Sequence, residues 1–279
     1  MENSSDFKSE KKDGQRRWYR QGFPIEEVLD RISDLNKGGK TGAQILKVTK
    51  KSRVMLITVG EKPSLTHVCV KEYFAHQWSS KLKAVFGYSR SRIARLNAHN
   101  LIFNSIPTAT PLAFIEEKSG LFPRRSVLIS EDLSRLTRID YYILKEFRDT
   151  WQTETKFQEK YLFIKCLSNA IRDLHDKQVY FGDLKAPNIL VEKLKDSWKF
   201  YFVDTDRITF NRRISVRRMA KNFAQLHTSI PVCMSRSDRI RFFLYYYKNN
   251  HLLTRQKELI RRIIKESKKR LTVEMTPLD

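Results

Sequence analysis

The chain has 279 residues, 41% of them apolar, and a net charge of +23 from 54 Lys and Arg against 31 Asp and Glu. That length supports one large domain or two lobes sharing a cleft, and that charge calls for an anionic partner such as nucleic acid, anionic lipid or a phosphorylated sugar. Three observations argue for a protein made and kept in the cytosol. No apolar run approaches the roughly 18–20 residues needed to cross a bilayer. The stretch Met1-Glu-Asn-Ser-Ser-Asp-Phe-Lys8 lacks a basic-then-apolar leader. Cys69, Cys166 and Cys233 are too widely spaced for a disulfide framework or a metal site and fit reduced thiols.

Residues 1–16 are polar and charged, and a disordered tail is expected there. Pro24 to Ile32 has helical apolar spacing and leads into the loop Lys37-Gly-Gly-Lys40. Ile45 to Val59 reads as two strands around the basic turn Thr49-Lys-Lys-Ser-Arg53, and Thr66 to Phe74 as a third strand carrying Lys71 after Val-Cys-Val. A helix is expected over Arg92–Phe103, with apolar Ile93, Leu96 and Leu101, ended by Ile106-Pro-Thr-Ala-Thr-Pro111. Leu112–Ile115 and Ser126–Ile129 then pair as strands, followed by Ser130-Glu-Asp-Leu133. Gln158–Gln178 is the strongest helical pattern, with Leu162, Cys166, Ala170, Ile171 and Leu174 predicted on one face. His175 at its end is expected to be a helix-end residue.

Phe181-Gly-Asp-Leu-Lys-Ala-Pro-Asn-Ile-Leu-Val191 follows, and then Asp204-Thr-Asp206 at the end of the strand Trp198–Val203. An Asp followed five positions later by an Asn is the catalytic-loop spacing of protein kinases. Phosphoryl transfer needs a carboxylate at the nucleophile, oxygen ligands for Mg²⁺ and positive charge near the moving phosphate. Asp183 is therefore the expected base, Lys185 a cation at the γ-phosphate, and Asn188 and Asp204 the metal ligands. A hairpin from Asn188–Val191 to Phe200–Val203 would bring the last two together.

Within that frame Lys71 stands where a strand lysine meets the nucleotide phosphates. Lys50, Lys51 and Arg53 occupy the turn where kinases place a glycine-rich loop, so side chains would hold phosphate in place of backbone amides, or the turn is simply a solvated basic one. Glu131 falls in the expected hinge, whose backbone would receive adenine. Two departures stand out. Between Glu72 and Glu116 there is no Asp or Glu, so the intervening helix has no glutamate for Lys71, whose counter-charge must come from Asp204, Glu72 or the nucleotide. The basic link Arg207–Arg218 runs straight into a helix (Met219, Phe223, Leu226) without an Ala-Pro-Glu segment, which removes the platform for a peptide and favours a small or sugar-like acceptor. Further on, Ser237-Asp begins a helix with Ile240, Phe243, Leu244 and Tyr247 expected in the core. A last helix, about 251–270, gathers Leu252, Leu253, Leu259, Ile260, Ile263 and Ile264 on one side and Lys and Arg on the rest. A basic patch of that kind gains about 1 kcal/mol per Lys or Arg at an anionic leaflet.

The expected architecture is α+β and bilobal, protein-kinase-like: a disordered tail (1–16), a small antiparallel-sheet N-lobe (17–131) and a mostly helical C-lobe (132–279). Several stretches resemble the bacterial lipopolysaccharide core kinases, which act on heptose or Kdo: Val70-Lys-Glu-Tyr73, Asn97-Ala-His99, Ile106-Pro-Thr108, Gly182-Asp-Leu-Lys185 with Asn188-Ile-Leu190, Val203-Asp-Thr-Asp-Arg207, Arg217–Leu226 and Ser237–Phe242. The resemblance runs over roughly residues 45–250. It implies ATP- and Mg²⁺-dependent phosphorylation of an inner-core sugar hydroxyl at the cytoplasmic face of the inner membrane; the expected partners are that acceptor and, through the basic last helix, an anionic membrane surface rather than nucleic acid. By that match Lys71 holds ATP phosphates, Asp183 is the base and Asn188 and Asp204 hold metal. Phe181 replaces a His often found two before the catalytic Asp, and Asp206 stands where protein kinases have Gly. A pseudokinase that binds nucleotide without transfer, and an atypical protein kinase, are the competing expectations.

Overall fold

A computed structural model of the chain describes residues 6–38, 42–60, 65–74, 89–119, 122–148, 153–247 and 256–275. It is a mixed structure of helices and antiparallel sheets, divided into two compact units: Met1–Phe103 with Thr108–Arg135, and Asn104–Pro107 with Leu136–Asp279.

The N-terminal unit is a seven-stranded sheet in the order β1-β2-β6-β7-β5-β4-β3, antiparallel at every pairing. Its strands are β1 (Phe7–Lys12), β2 (Gln15–Arg20), β3 (Ala43–Val48), β4 (Ser52–Val59), β5 (Thr66–Phe74), β6 (Pro111–Ser119) and β7 (Phe122–Glu131). Period-two alternation sends Met55, Ile57 and Val59 of β4, Val68 and Val70 of β5, and Val127 and Ile129 of β7 into one apolar layer. Helix α1 (Ile25–Asn36) closes that layer with Ile25, Val28 and Ile32. Helix α2 (Arg90–Phe103) packs Ala94 with Tyr73 and Leu128. Its buried residues are Ser91, Ala94, Asn97, Ala98 and Leu101, while Leu96 is 44% exposed.

The expected tail through residue 16 is corrected: from Phe7 the chain is an ordered hairpin. Asp13 and Gly14 both have positive φ (51° and 73°), as a two-residue turn matched to strand twist requires. Phe7 stacks on Trp18 at 3.9 Å, which gives this polar strand the apolar anchor it otherwise lacks.

The C-terminal unit places β8 (Thr137–Arg138), β10 (Ile189–Lys193) and β11 (Trp198–Phe202) in one small sheet, ordered β11-β10-β8, and pairs β9 (Val179–Phe181) with β12 (Ile208–Phe210). Around them lie α3 (Ile139–Phe147), α4 (Glu154–Asp176), α5 (Val216–Ser229), α6 (Arg236–Tyr247) and α7 (Gln256–Met275). Helix α4 starts at a Thr153 cap and buries Lys160, Phe163, Ile164, Leu167, Ser168, Ile171, Leu174 and His175. The predicted face is thus turned by a step: Leu162 is 39% exposed and Cys166 half-buried. The reason is polar. Lys160 is buried because it meets Asp238 of α6 at 2.7 Å, and Ser168 donates to the Phe242 carbonyl at 2.9 Å. Those bonds set the packed side of α4, and a purely apolar reading does not count them.

The predicted faces of the last two helices need the same correction. In α6 Ile240 and Leu244 are each 62% exposed, while Asp238, Tyr246 and Tyr247 are buried. The helix is capped by Ser235, whose Oγ accepts from the Asp238 N–H at 3.1 Å while the Asp238 carboxylate accepts from the Ser235 N–H at 2.9 Å. In α7 Leu259 and Ser267 are buried, whereas Ile260 (42%) and Ile264 (51%) face outward; Leu252 and Leu253 lie outside the described residues. The three cysteines are free thiols. No helix among the described residues is long and apolar enough to cross a membrane.

Candidate active site

Strand β9 ends at Phe181, and the chain then makes a short loop to the 3-10 turn Ala186–Asn188 before entering β10. Nearly every polar backbone group of this loop has a specified partner. The Gly182 N–H donates to the Arg207 carbonyl at 2.7 Å, and a Cβ added at Gly182 would sit 2.5 Å from that oxygen, so only glycine permits the approach. Helix α5 supplies the rest from one face, at positions 222, 225 and 229. Asn222 donates to the Phe181 carbonyl, in a short bond, and lies 3.4 Å from its N–H. Gln225 donates to the Gly182 carbonyl at 2.7 Å and accepts from the Leu184 N–H at 3.0 Å. Ser229 accepts from the Ala186 N–H at 2.8 Å. Gln225 therefore clamps both peptide groups that flank Asp183.

Asn222 is itself held. His175, fully buried, places Nε2 3.2 Å from its Oδ1 and Nδ1 2.9 Å from the Tyr246 hydroxyl. Burial pushes the imidazole pKa down from 6.5 to about 4, with the Asn222 bond opposing. His175 does lie at the end of α4, as expected, yet its work is to brace α5 against the loop. Phe181, 0% exposed, packs against Phe202 where the expected histidine is absent, so the loop is supported by apolar contact and by the amides of α5. Sequence reading missed Asn222, Gln225 and Ser229. Their signal is a polar stripe at 222, 225 and 229 beside the apolar Met219, Phe223 and Leu226, on a helix whose fourteen residues otherwise give no reason to bury amides.

On this braced loop the expected residues meet. Asn188 donates through Nδ2 to the Asp183 carbonyl at 2.9 Å and lies 3.5 Å from its carboxylate, and Lys185 Nζ is 3.4 Å from the Asp183 Oδ1. The predicted hairpin is present: Ile189 pairs with Phe202, and the Val203 N–H donates to the Asn188 carbonyl at 3.0 Å, which sets Asp204 one residue beyond that bond. Asp204 adopts φ 66°, a left-handed conformation that Asp tolerates better than most residues and that functional sites concentrate. The donor set fits a hard divalent cation. With Nδ2 turned to Asp183, Asn188 keeps Oδ1 available as an oxygen ligand, and a cation such as Mg²⁺ is commonly held by one or two protein oxygens with water and phosphate completing its shell. No cluster of three His, Cys, Asp or Glu is found among the described residues.

In the N-terminal unit Lys71 lies on β5 with its Nζ 5.0 Å from the Tyr73 ring. Glu72 points to the opposite face, 0% exposed, and binds the guanidinium groups of Arg53 (2.6 Å from Nε) and Arg125. Two expectations change with it. Glu72 serves those arginines and not Lys71, and Arg53, also bonded to Asn36 at 2.7 Å, braces the sheet where it was expected to reach for phosphate. Lys51 stays exposed in the β3–β4 turn, whose Thr49 side chain accepts from the Ser52 N–H. Glu131 ends β7 with its N–H given to the Thr110 carbonyl (2.8 Å) and its carboxylate accepting from the Thr110 hydroxyl (3.1 Å), so that N–H is committed within the protein.

Residues 39–247 match the model of the lipopolysaccharide kinase (Kdo/WaaP) family. A 3-deoxy-D-manno-octulosonic acid kinase of Actinobacillus succinogenes is 29% identical over 102 residues, which is 37% of this chain and 38% of that protein. Among solved structures, one described as WaaP in complex with acyl carrier protein covers 88% of this chain and 96% of its own, with a TM-score of 0.63 at 15% identity. At that identity the likeness is one of fold.

Proposed function

The chain belongs to the lipopolysaccharide kinase (Kdo/WaaP) family, and from that premise we propose that it transfers the γ-phosphate of ATP to a sugar hydroxyl, heptose or Kdo, of the lipopolysaccharide inner core. The observation that carries the reading is the Asp183–Lys185–Asn188 cluster on a loop clamped by α5, with Asp204 following across the hairpin. Asp183 takes the proton of the acceptor hydroxyl as its oxygen bonds to the γ-phosphorus and the bond to the β-phosphate oxygen breaks, releasing ADP. Lys185 places positive charge beside that carboxylate, at the phosphate being transferred. Asn188 and Asp204 would hold Mg²⁺, which when bound supplies charge neutralisation on the phosphates. Lys71, on β5, is assigned to the ATP phosphates in a two-lobed, kinase-like arrangement.

The exposed Arg207, Arg212, Arg213 and Arg217, on the link that follows Asp206, suit the phosphates and carboxylates of an inner-core acceptor. Arg218 serves the fold instead, bonded to Asn211 and lying 5.2 Å from the Tyr180 ring. The test is an acceptor panel: labelled ATP with Mg²⁺, offered heptose- and Kdo-terminated truncated lipopolysaccharides and a purified protein substrate. Label on a core sugar is the expected result. Nucleotide binding with no label on any acceptor would mark a pseudokinase, and label on protein alone an atypical protein kinase; either overturns the proposal.

A further inference from the structure

Helix α7 carries two faces. One is packed: Leu259 (2% exposed) and Ser267 (6%) are buried, and Arg270 donates to Thr228 of α5 at 3.2 Å. The other holds Ile260 and Ile264, 42% and 51% exposed. Four residues apart, they stand one above the other. Around them the same helix exposes Lys257, Arg261 and Lys265. Its described acidic side chains do not offset this charge at the isoleucines, since Glu258 is paired with Arg262 (2.8 Å) and Glu266 with Lys269 (3.5 Å).

A second exposed apolar pair, Ile240 and Leu244 on α6, has less of that company, with Arg236 the exposed cation on its own helix. Arg239 is committed to the carbonyls of Met234, His227 and Ile230, and Arg241 to Asp238 and the Tyr161 ring, 3.8 Å away. On α7 an unpacked apolar ridge lies inside exposed positive charge, and as one side of a helix it can lie along a surface, unlike the exposed Ile45, Leu46 and Val48 of β3, which stand beside Lys47 and Lys51. A protein partner would offer apolar area with its own pattern of opposite charges. A lipid leaflet offers acyl chains at the depth of the isoleucines and a continuous layer of negative headgroups at the height of the ammonium and guanidinium groups, and a chain of net charge +23 is drawn to it from a distance.

We propose that the Ile260–Ile264 face of α7 is the surface by which this protein docks on an anionic lipid bilayer, lying along it without crossing. The proposal requires neither nucleotide nor acceptor, so its failure and that of the kinase reading are separate events.

The test is flotation of the full-length protein with vesicles of phosphatidylcholine alone or with about 30% phosphatidylglycerol, at low and at about 0.5 M salt. The wild type is expected to float only with the anionic vesicles and to be released by salt. The triple variant K257Q/R261Q/K265Q is expected to bind about 100-fold less, three charges at about 1 kcal/mol each. A charge-matched control, K145Q/K195Q/K199Q, removes three exposed lysines elsewhere in the same unit and is expected to bind as the wild type does. I260Q/I264Q is expected to lower binding about tenfold with the charge intact. Thermal unfolding of each variant establishes that it is folded. Wild-type failure to float, equal losses in the triple variant and its control, or unchanged binding of I260Q/I264Q would each overturn the proposal.

Discussion

Substituting Gln225 by Met tests whether the catalytic loop owes its shape to α5. Methionine keeps the length of glutamine and its unbranched chain but offers no N–H and no carbonyl. The structure then leaves the Gly182 carbonyl and the Leu184 N–H without the partners they have at 2.7 and 3.0 Å, beside a side chain that is only 7% exposed. Each unsatisfied buried group costs about 1–3 kcal/mol. The loop recovers part of that by shifting toward water, and the expected net loss of stability is about 3 kcal/mol. The shift matters more than the loss, because those two peptide groups lie on either side of Asp183. A displacement of about 1 Å at the base lowers kcat about 100-fold, while KM for ATP stays near its wild-type value. Thermal unfolding and steady-state kinetics on the same preparation read both effects. Wild-type kcat, or a fall in kcat matched by an equal rise in the KM for ATP, would refute the clamp.

Three further outcomes are expected. Gly182→Ala forces the loop away from the Arg207 carbonyl, 2.5 Å from the new Cβ, and lowers both melting temperature and kcat. Glu72→Gln removes the charge held by Arg53 and Arg125 and destabilises by about 3–5 kcal/mol in denaturant unfolding, as expected for a broken buried ion pair; a change below about 1 kcal/mol would mean the guanidiniums re-pair. His175 gives a pH signature. The unfolded chain binds its proton near pH 6.5 and the folded chain only near 4, so the unfolded state holds more protons between those values and stability falls as pH drops through the window. The full effect is about 3 kcal/mol. His175→Gln should flatten it, and an unchanged slope would show that other groups set it.

Much of the local structure was legible. The strands from Ile45 to Phe74 follow from alternation, and the loop around Asp183 and its hairpin to Asp204 follow from residue spacing together with an apolar strand on either side. What stayed hidden was polar and buried. Helix α4 is turned by the Lys160–Asp238 pair, and apolar counting favoured Leu162 and Cys166 because it assigns a lysine to solvent. The amides of α5 were passed over for a similar reason, since Asn and Gln in a helix read as surface residues until the backbone they satisfy is known. The first hairpin carried a usable signal in Asp13-Gly14, but its strands are charged, and what distinguishes them from a solvated tail is tertiary: the stacking of Phe7 on Trp18, the pairing of β2 with β6 and the Arg17–Glu26 ion pair. Arg53 was a matter of pairing: the register that sets it opposite Glu72 belongs to the β4–β5 ladder and not to the turn in which it was read.

The central claim is that Asp183 accepts the proton of a sugar hydroxyl during transfer from ATP. The most direct measurement is the single-turnover rate of phosphate transfer to a core-sugar acceptor by the wild type and by Asp183→Asn, with nucleotide affinity measured in parallel. The account predicts equal affinity and a rate lower by about 10²–10⁴ in the variant; transfer at the wild-type rate from Asp183→Asn would contradict it.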